Sequence, residues 1–281
     1  MEDINHIKVI KHSGESVVFD VEKLKSALKR SGAKSDEIDD IIVDLTKKIY
    51  NGISTRKIYQ IAYALLKKKS HHAAGHYRLK KAVLDLGPSG YPFEKFVGRL
   101  MAFKGYDVQV SEIIQGRCVT HEVDVIAKKQ NEHIYTECKF HRDRKKNDVK
   151  IPMYIKSRFD DIRNQLGPLE ENKNVEIKGM LITNTRFTTD AIDFGKCSGL
   201  RLIGWDYPTH DNLRDWIDQS GFHPVTSLST LTKNMKQALL EKDVILCHEI
   251  EQKKDVLESL GLRPNEIKKI IREANEIKRY H

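Results

Sequence analysis

The segment HEVDVIAKKQNEHIYTECKF, residues 121–140, decides how the central part of this chain folds. Apolar and polar residues alternate in His121–Ala127 and again in Ile134–Phe140, which is typical of strands with one buried face. The polar segment Lys128–Glu132 between these two runs predicts a turn. We therefore expect a β-hairpin at the centre of the fold.

This hairpin carries two carboxylates and a lysine in positions where they could meet. Side chains alternate between the two faces of a strand, so Glu137 and Lys139 share a face with Cys138 behind them, and Asp124 comes from the partner strand. Two nearby carboxylates would bind a hard divalent cation, and the ammonium could position or deprotonate an attacking water. This chemistry favours phosphodiester cleavage. The alternative for Glu137 and Lys139 is a solvated cross-strand pair.

The composition limits the class of protein. The length of 281 residues suggests roughly two domains and allows a third small one. A net charge of +9 and a pI of 9.2 fit a polyanionic partner, above all nucleic acid, but predict no fold.

The cysteines and the chain start bear on the cellular compartment. The four cysteines lie far apart without a CxxC pair, which argues against a structural zinc site or a disulfide framework. The first residues lack the pattern of a signal peptide, and no apolar stretch approaches the roughly 20 residues that span a bilayer. We expect a cytoplasmic protein with no membrane segment.

The N-terminal part predicts a small α+β domain. Strands are expected at Ile7–Lys11 and Ser16–Phe19, joined by a turn at His12–Glu15, with Asp20 as the N-cap of the next helix. Apolar residues at helical spacing predict four helices, over about 21–28, 38–49, 58–65 and 72–86. The segment Gly87–Gly90 interrupts this pattern, so we expect the first domain to cover residues 1–88.

Strands and helices alternate after Pro92, which predicts a central α/β domain over residues 89–220. We expect a helix over 93–101 and a strand over 106–110 before the hairpin, and then a helix over 154–166. The strand 179–183, helix 188–197 and strand 200–205 form a βαβ unit, so these strands should be parallel within a mixed sheet. The last segment, residues 221–281, predicts helices. The expected fold class is therefore an α/β multidomain chain.

Four segments together resemble the Mrr-like branch of the PD-(D/E)xK nucleases over about residues 91–206. These segments are Phe93–Leu100, Gly105–Val108, His121–Val125 and Glu137–Lys139. The resemblance implies a restriction-endonuclease-like core, with Asp124 and Glu137 as ligands of Mg²⁺ (or Mn²⁺) and Lys139 as the group that orients water and stabilises charge. It also implies Glu94 as an auxiliary catalytic carboxylate and Gln165 as a further catalytic position.

Some of these residues also have simpler interpretations. Glu94 lies in a first helical turn, where the helix dipole favours any acid, and His121 is more often a hydrogen-bonded structural histidine than a base. The basic stretch after Lys139 predicts contacts with DNA phosphates, or alternatively a solvated loop. Its candidate DNA-binding residues are Arg142, Arg144, Lys145 and Lys146.

The N-terminal domain resembles an ATP-cone, a regulatory nucleotide-binding module, over about residues 5–87. The resemblance rests on Val9–Glu15, Val18–Leu24 and Tyr77–Val83, and implies binding of ATP or dATP and nucleotide-driven changes in oligomeric state. The expected nucleotide-binding residues are Val9, Lys11, His12, Glu15 and Lys23. The chain has His12-Ser13 where family members commonly carry Arg-Asp. The alternative is a small helical domain that only packs on the nuclease.

The C-terminal segment loosely resembles a helix-hairpin-helix domain, which holds a DNA phosphate on backbone amides. Gly261 fits one hairpin, whereas Asp243 stands where the other would carry glycine. The alternative is a helical bundle used for packing or dimerisation.

These features predict an Mg²⁺-dependent endodeoxyribonuclease that is regulated in activity or assembly by ATP or dATP, with a role in defence or DNA repair. The expected partners are DNA, an adenine nucleotide and a second copy of the chain, in a homodimer or higher oligomer. The alternative is a nucleotide-responsive DNA-binding regulator with a catalytically silent nuclease fold.

Overall fold

A computed structural model describes residues 6–11, 13–143 and 145–278. The expectations for His12 and Arg144 therefore lie outside the described residues. The chain has a small N-terminal α+β unit, a central five-stranded sheet and a set of C-terminal helices. This arrangement confirms the predicted α/β fold class.

The N-terminal unit is a three-stranded sheet, in the order β2-β1-β3, packed against helices. β1 pairs antiparallel with β2 and parallel with β3. The elements are β1 (Lys8–Ile10), β2 (Ser16–Val18), α1 (Val21–Arg30), α2 (Ser35–Thr46), β3 (Ile53–Ser54), α3 (Thr55–Lys69) and α4 (His71–Leu84).

Local sequence explains how this unit begins. The turn between β1 and β2 contains Gly14 at φ +84°, a backbone conformation that glycine adopts without steric cost. The Asp20 carboxylate accepts a hydrogen bond of 3.0 Å from the backbone N–H of Lys23, which confirms the predicted N-cap of α1. The sequence did not predict β3, because two residues are too few to show an alternation.

The central sheet has the order β4-β5-β6-β7-β8 and is mixed, as predicted. β4, β5 and β6 are antiparallel neighbours, whereas β6, β7 and β8 run parallel. The elements are α5 (Tyr91–Phe103), β4 (Asp107–Gln115), β5 (Thr120–Lys129), β6 (Glu132–Lys139), α6 (Lys150–Leu166), β7 (Glu176–Thr183), α7 (Thr189–Ser198) and β8 (Arg201–Ile203).

Helices cover this sheet on two sides. α5 packs through Phe93, Phe96 and Val97 into one core, together with Val125 of β5. The helices α6 and α7 pack into a second core, which contains Tyr135 of β6. Because side chains alternate along β5 and β6, neighbouring strand residues face different helices.

The C-terminal segment consists of α8 (Leu213–Ser220), α9 (Lys233–Glu241), α10 (Lys254–Ser259) and α11 (Pro264–Lys278). Its apolar residues share one core with α5 and with the second half of α4. Left-handed residues follow three of the helices: Gly221 at φ +67°, Asp243 at φ +59° and Gly261 at φ +75°. Aspartate tolerates this conformation better than most residues, which explains how Asp243 takes the place of a glycine.

Two of these turns pair with each other. The N–H of Val225 donates to the carbonyl of Ile245, and the N–H of Cys247 donates to the carbonyl of His223, both at 2.8 Å. The C-terminal segment is thus built around a pair of related turns that follow α8 and α9. A helix-hairpin-helix role in DNA binding stays a prediction.

Among the residues described, no helix combines the length and the apolar character needed to cross a membrane.

Candidate active site

Asp124 and Glu137 lie where two neighbouring strands separate. β5 and β6 pair up to Val125 and Thr136, whereas β6 continues beside β7 as far as the pair Lys139–Thr183. At this fork, the Asp124 carboxylate accepts a hydrogen bond of 2.7 Å from the backbone N–H of Cys138. The Asp124 carboxylate is therefore hydrogen-bonded to β6 just beyond the last backbone pair of β5 and β6, and this bond holds it at the fork.

Glu94 reaches the same region from the first turn of α5. Its Oε2 accepts a hydrogen bond of 3.3 Å from the Ser111 hydroxyl. Ser111 has φ +59° and interrupts the pairing of β4 with β5, since Val110 pairs with Val125 and Glu112 with Val123. The left-handed backbone at Ser111 interrupts the ladder without changing its register, and the Ser111 hydroxyl lies at the Glu94 carboxylate.

The pKa values of Asp124 and Glu94 are both raised at the fork. Burial, followed by the charge of Glu137, raises the pKa of Asp124 to about 7, although the bond from Cys138 opposes the shift. Burial also raises the pKa of Glu94, with contributions from the charges of Glu122 and Glu137. The fork is therefore a region of concentrated negative charge, and a cation would stabilise its ionised form.

Arg158, on α6, is the cation that the fold places at this fork. Its Nη1 lies 2.6 Å from Glu137 Oε2, and both side chains are about four-fifths buried. Its Nη2 also donates to the backbone carbonyl of Glu122. Arg158 thus connects β6 with β5 beyond the point where the strands separate. Sequence reasoning missed this residue, because it lies 21 positions after Glu137 and no local pattern marks it.

Lys139 is exposed two residues beyond Glu137 on β6, and no ion pair among the described residues involves its ammonium. It is therefore available to a bound substrate. Gln165, in contrast, lies seven residues beyond Arg158, about 10 Å farther along the axis of α6. A catalytic role for Gln165 stays a prediction.

His121 forms a pair with Asp161 of α6, at 2.8 Å from Nε2 to Oδ2. The same carboxylate accepts hydrogen bonds from the N–H groups of Cys118 at 2.9 Å and Val119 at 3.3 Å. The bond from His121, followed by those from Cys118 and Val119, lowers the pKa of Asp161 to about 2. This geometry gives His121 a structural role in holding the β4–β5 turn against α6.

The basic loop that follows β6 is anchored at its base. Asn184 Oδ1 accepts from the N–H of His141 at 2.9 Å, and His141 Nε2 lies 2.7 Å from Oδ1 of the buried Asn147. The predicted DNA-binding side chains Arg142, Lys145 and Lys146 are exposed. The loop therefore presents its cations to solvent from a fixed base beside Lys139.

The donor chemistry at the fork fits a hard divalent cation, although no cluster of three is formed. Within the described ranges, no three His, Cys, Asp or Glu side chains converge closely enough to hold a metal ion. Oxygen donors from Asp124 and Glu137 are nevertheless the type that Mg²⁺ and Mn²⁺ bind. A bound cation would oppose the rise in the pKa of Asp124 and of Glu94.

The described residues among those predicted to bind nucleotide lie in β1, in the segment between β1 and β2, and at the start of α1. Val9 is buried in β1. Lys11 pairs with Glu15 across the turn at 2.9 Å, and Lys23 pairs with Asp20 at 3.0 Å. Both ammonium groups belong to exposed ion pairs, so an anionic ligand could displace the carboxylates at little energetic cost.

Comparisons with known proteins divide the chain into three matched regions. Residues 7–83 match the ATP cone domain, residues 87–216 match the Restriction endonuclease domain with the Mrr-type catalytic region, and residues 223–278 match the family described as AF1548-like, C-terminal.

The chain is also similar to whole proteins. An uncharacterized protein of Archaeoglobus fulgidus is 28% identical over 182 residues, which are 64% of this chain and 99% of that protein. The crystal structure of AF1548, a protein of unknown function, is 27% identical and matches with a TM-score of 0.56, over 68% of this chain and 98% of that one. A repair endonuclease from Pyrococcus abyssi is 17% identical over 41% of this chain and 46% of its own, with a TM-score of 0.31. The chain therefore contains a region that matches the ATP cone domain, followed by a region that matches the Mrr-type Restriction endonuclease domain.

Proposed function

We propose that this protein is a metal-dependent endodeoxyribonuclease regulated by an adenine nucleotide. The observation that carries the proposal is the fork between β5 and β6, which brings Asp124 and Glu137 together beside Glu94. A fold alone does not establish an activity, so the argument rests on these side chains.

Each side chain at the fork has a defined task in the proposed reaction. Asp124 and Glu137 would hold Mg²⁺ or Mn²⁺, which when bound supplies a Lewis acid for the scissile phosphate. Lys139, exposed on the same strand, orients the attacking water and balances developing negative charge. Glu94 adds a third negative charge from α5. Arg158 holds Glu137 at the fork and supplies a positive charge close to the phosphate position.

DNA is the substrate that the charge distribution favours. The net charge is +9, and the exposed cations Arg142, Lys145 and Lys146 directly follow the strand that carries Lys139. Phosphate contacts from such a loop position a nucleic acid without reading its bases. DNA held by this loop would pass the fork.

Regulation by nucleotide is supported by the continuity of α4. Its first half contributes Ala73 and Ala74 to the core of the N-terminal unit, and its second half contributes Leu79 and Val83 to the core of the nuclease domain. After α4, Gly87 lies against the ring of Phe140, the residue that follows Lys139. Movement in the ATP-cone can therefore reach the carboxylates through one helix and one loop.

Cleavage of supercoiled plasmid DNA tests the proposal. The protein is incubated with Mg²⁺, without nucleotide and with ATP or dATP, beside Asp124→Ala and beside Asp107→Ala, an exposed aspartate on β4 as the matched control. We expect nicking or cutting by the wild type and by Asp107→Ala, its loss in Asp124→Ala, and a change in rate with nucleotide.

Absence of cleavage by every form, with DNA binding retained in a mobility-shift assay, would contradict the enzyme. That result would favour a nucleotide-responsive DNA-binding regulator in which the nuclease fold is only a platform. For such a regulator, a role in defence or DNA repair would be tested by identifying the genes whose expression it changes.

A further inference from the structure

Large apolar side chains are exposed on α6 and on the β4–β5 hairpin and have no role in the reaction described above. Tyr154 is 65% exposed, Met153 52%, Ile113 74% and Val119 57%. Single exposed apolar residues are common on protein surfaces, so an interaction site needs an observation besides exposure.

The Tyr154 ring lies beside Arg158. The Arg158 guanidinium is 5.8 Å from the centre of the Tyr154 ring. Arg158 also contacts the Glu137 carboxylate and donates to the carbonyl of Glu122. Tyr154 therefore borders the same cation that contacts Glu137.

Cations precede Tyr154 along the chain. Lys145 and Lys146 are exposed in the basic loop, and α6 begins at Lys150, four residues before Tyr154. Proteins that bind single-stranded nucleic acid combine such a cationic path for the backbone with aromatic side chains on which bases stack. In a duplex, neighbouring pairs cover the face of every base except those at the ends, so an internal base offers its face to an exposed tyrosine only when it is unpaired.

We propose that the exposed Tyr154 ring is a stacking surface for unpaired bases, and that the substrate is DNA with a single-stranded segment beside the scissile phosphate. The cleavage part of this inference rests on the proposed function, whereas the binding part does not. The phosphates of the single strand lie along Lys145, Lys146 and Lys150, and a base stacks on the Tyr154 ring. The adjacent phosphate then reaches the fork.

Fluorescence anisotropy with labelled DNA tests the binding part. The full chain is titrated in EDTA, at one fixed salt concentration, against a single-stranded 20-mer and against the blunt duplex of the same sequence. The variants are Tyr154→Ala, Tyr154→Phe and, as a matched control, Tyr50→Ala, which removes a tyrosine that is 63% exposed on the N-terminal unit.

We expect the wild type to bind the single strand more tightly than the duplex. Loss of one stacked base weakens binding by about 5- to 100-fold, so Tyr154→Ala should lose that much affinity for the single strand and little for the duplex. Tyr154→Phe keeps the aromatic face and should bind like the wild type, as should Tyr50→Ala.

The outcomes separate this inference from the proposed nuclease. If Tyr154→Ala binds the single strand as the wild type does, the stacking surface is wrong, even if plasmid DNA is cut. If Tyr154→Ala instead only converts a dimer into a monomer in sedimentation, the surface is an interface between copies and the inference is also wrong. A Tyr154-dependent preference for single strands, without cleavage of a forked duplex, would support the stacking surface and contradict the nuclease.

Discussion

Replacing Asp124 with asparagine should stabilise the folded protein while it removes a proposed metal ligand. The pKa of Asp124 is raised from its ordinary 3.8 to about 7 by burial and by Glu137. Asparagine keeps an oxygen that can accept the bond from the Cys138 N–H, so the substitution removes the charge and little else. If the Asp124 carboxylate must be ionised for the proposed metal binding, its ionised form therefore lowers the free energy of unfolding.

The size and the sign of the effect follow from the two pKa values. Below pH 3.8, Asp124 is protonated in both the folded and the unfolded chain and contributes nothing. Between pH 3.8 and about 7 the unfolded chain loses this proton first, so the free energy of unfolding falls as pH rises, and above about pH 7 the loss is complete. A shift of this size corresponds to at most ~4 kcal/mol. Because the carboxyl is only partly buried, we expect ~2–4 kcal/mol at pH 8 and ~1–2 kcal/mol at pH 5.

Urea denaturation of wild type and Asp124→Asn at pH 8 and pH 5 measures this difference, with Asp107→Asn as an exposed control. A gain of this size raises Tm by roughly 5–10 °C at pH 8. Saturating Mg²⁺ should stabilise the wild type and not the variant, since only the native wild type binds it. The reasoning fails if Asp124→Asn is no more stable than the wild type at pH 8, or if its gain is the same at both pH values.

Three further predictions concern the surroundings of the fork. Lys139→Ala should abolish cleavage and retain DNA binding in a mobility-shift assay; parallel loss of both would place the lysine in binding alone. Gly87→Ala puts a Cβ 2.9 Å from Cε1 of Phe140, so it should lower the free energy of unfolding by ~1–3 kcal/mol and slow cleavage. Ser89→Ala, in the same loop, should change neither the stability nor the cleavage rate. Equal cleavage rates for both variants would mean that the Gly87–Phe140 contact does not link the N-terminal domain to the nuclease site. Asp161→Asn should speed amide hydrogen exchange in residues 116–119, and unchanged protection would mean that other contacts hold this turn.

Local pattern was sufficient to predict most of the secondary structure. The hairpin over residues 121–140, the amphipathic helices and the parallel pair β7–β8 all follow from periodicities that lie within ten or twenty consecutive residues. Boundaries were less accurate. The helix α6 begins at Lys150 rather than near Tyr154, because Pro152 in a first turn is compatible with a helix.

The sequence by itself also determined which strand residues carry the candidate chemistry. Asp124, Glu137 and Lys139 occupy alternating positions of two strands joined by a short turn, so local geometry brings them to one region. Gln165 is a different case. Its expected role depended on how far α6 extends past the fork, and this distance is set by the packing of the helix on the sheet.

Only the tertiary structure decided what surrounds these residues. Arg158 meets Glu137, Asp161 meets His121, and Ser111 meets Glu94 across sequence separations of 17 to 40 residues. Such contacts depend on where a helix lies on a sheet and on the left-handed backbone at one strand residue, and neither leaves a periodic signal in the sequence. The charge neutralised at Glu137, and the apolar surface beside it, are therefore properties of the packed fold rather than of any local stretch of the chain.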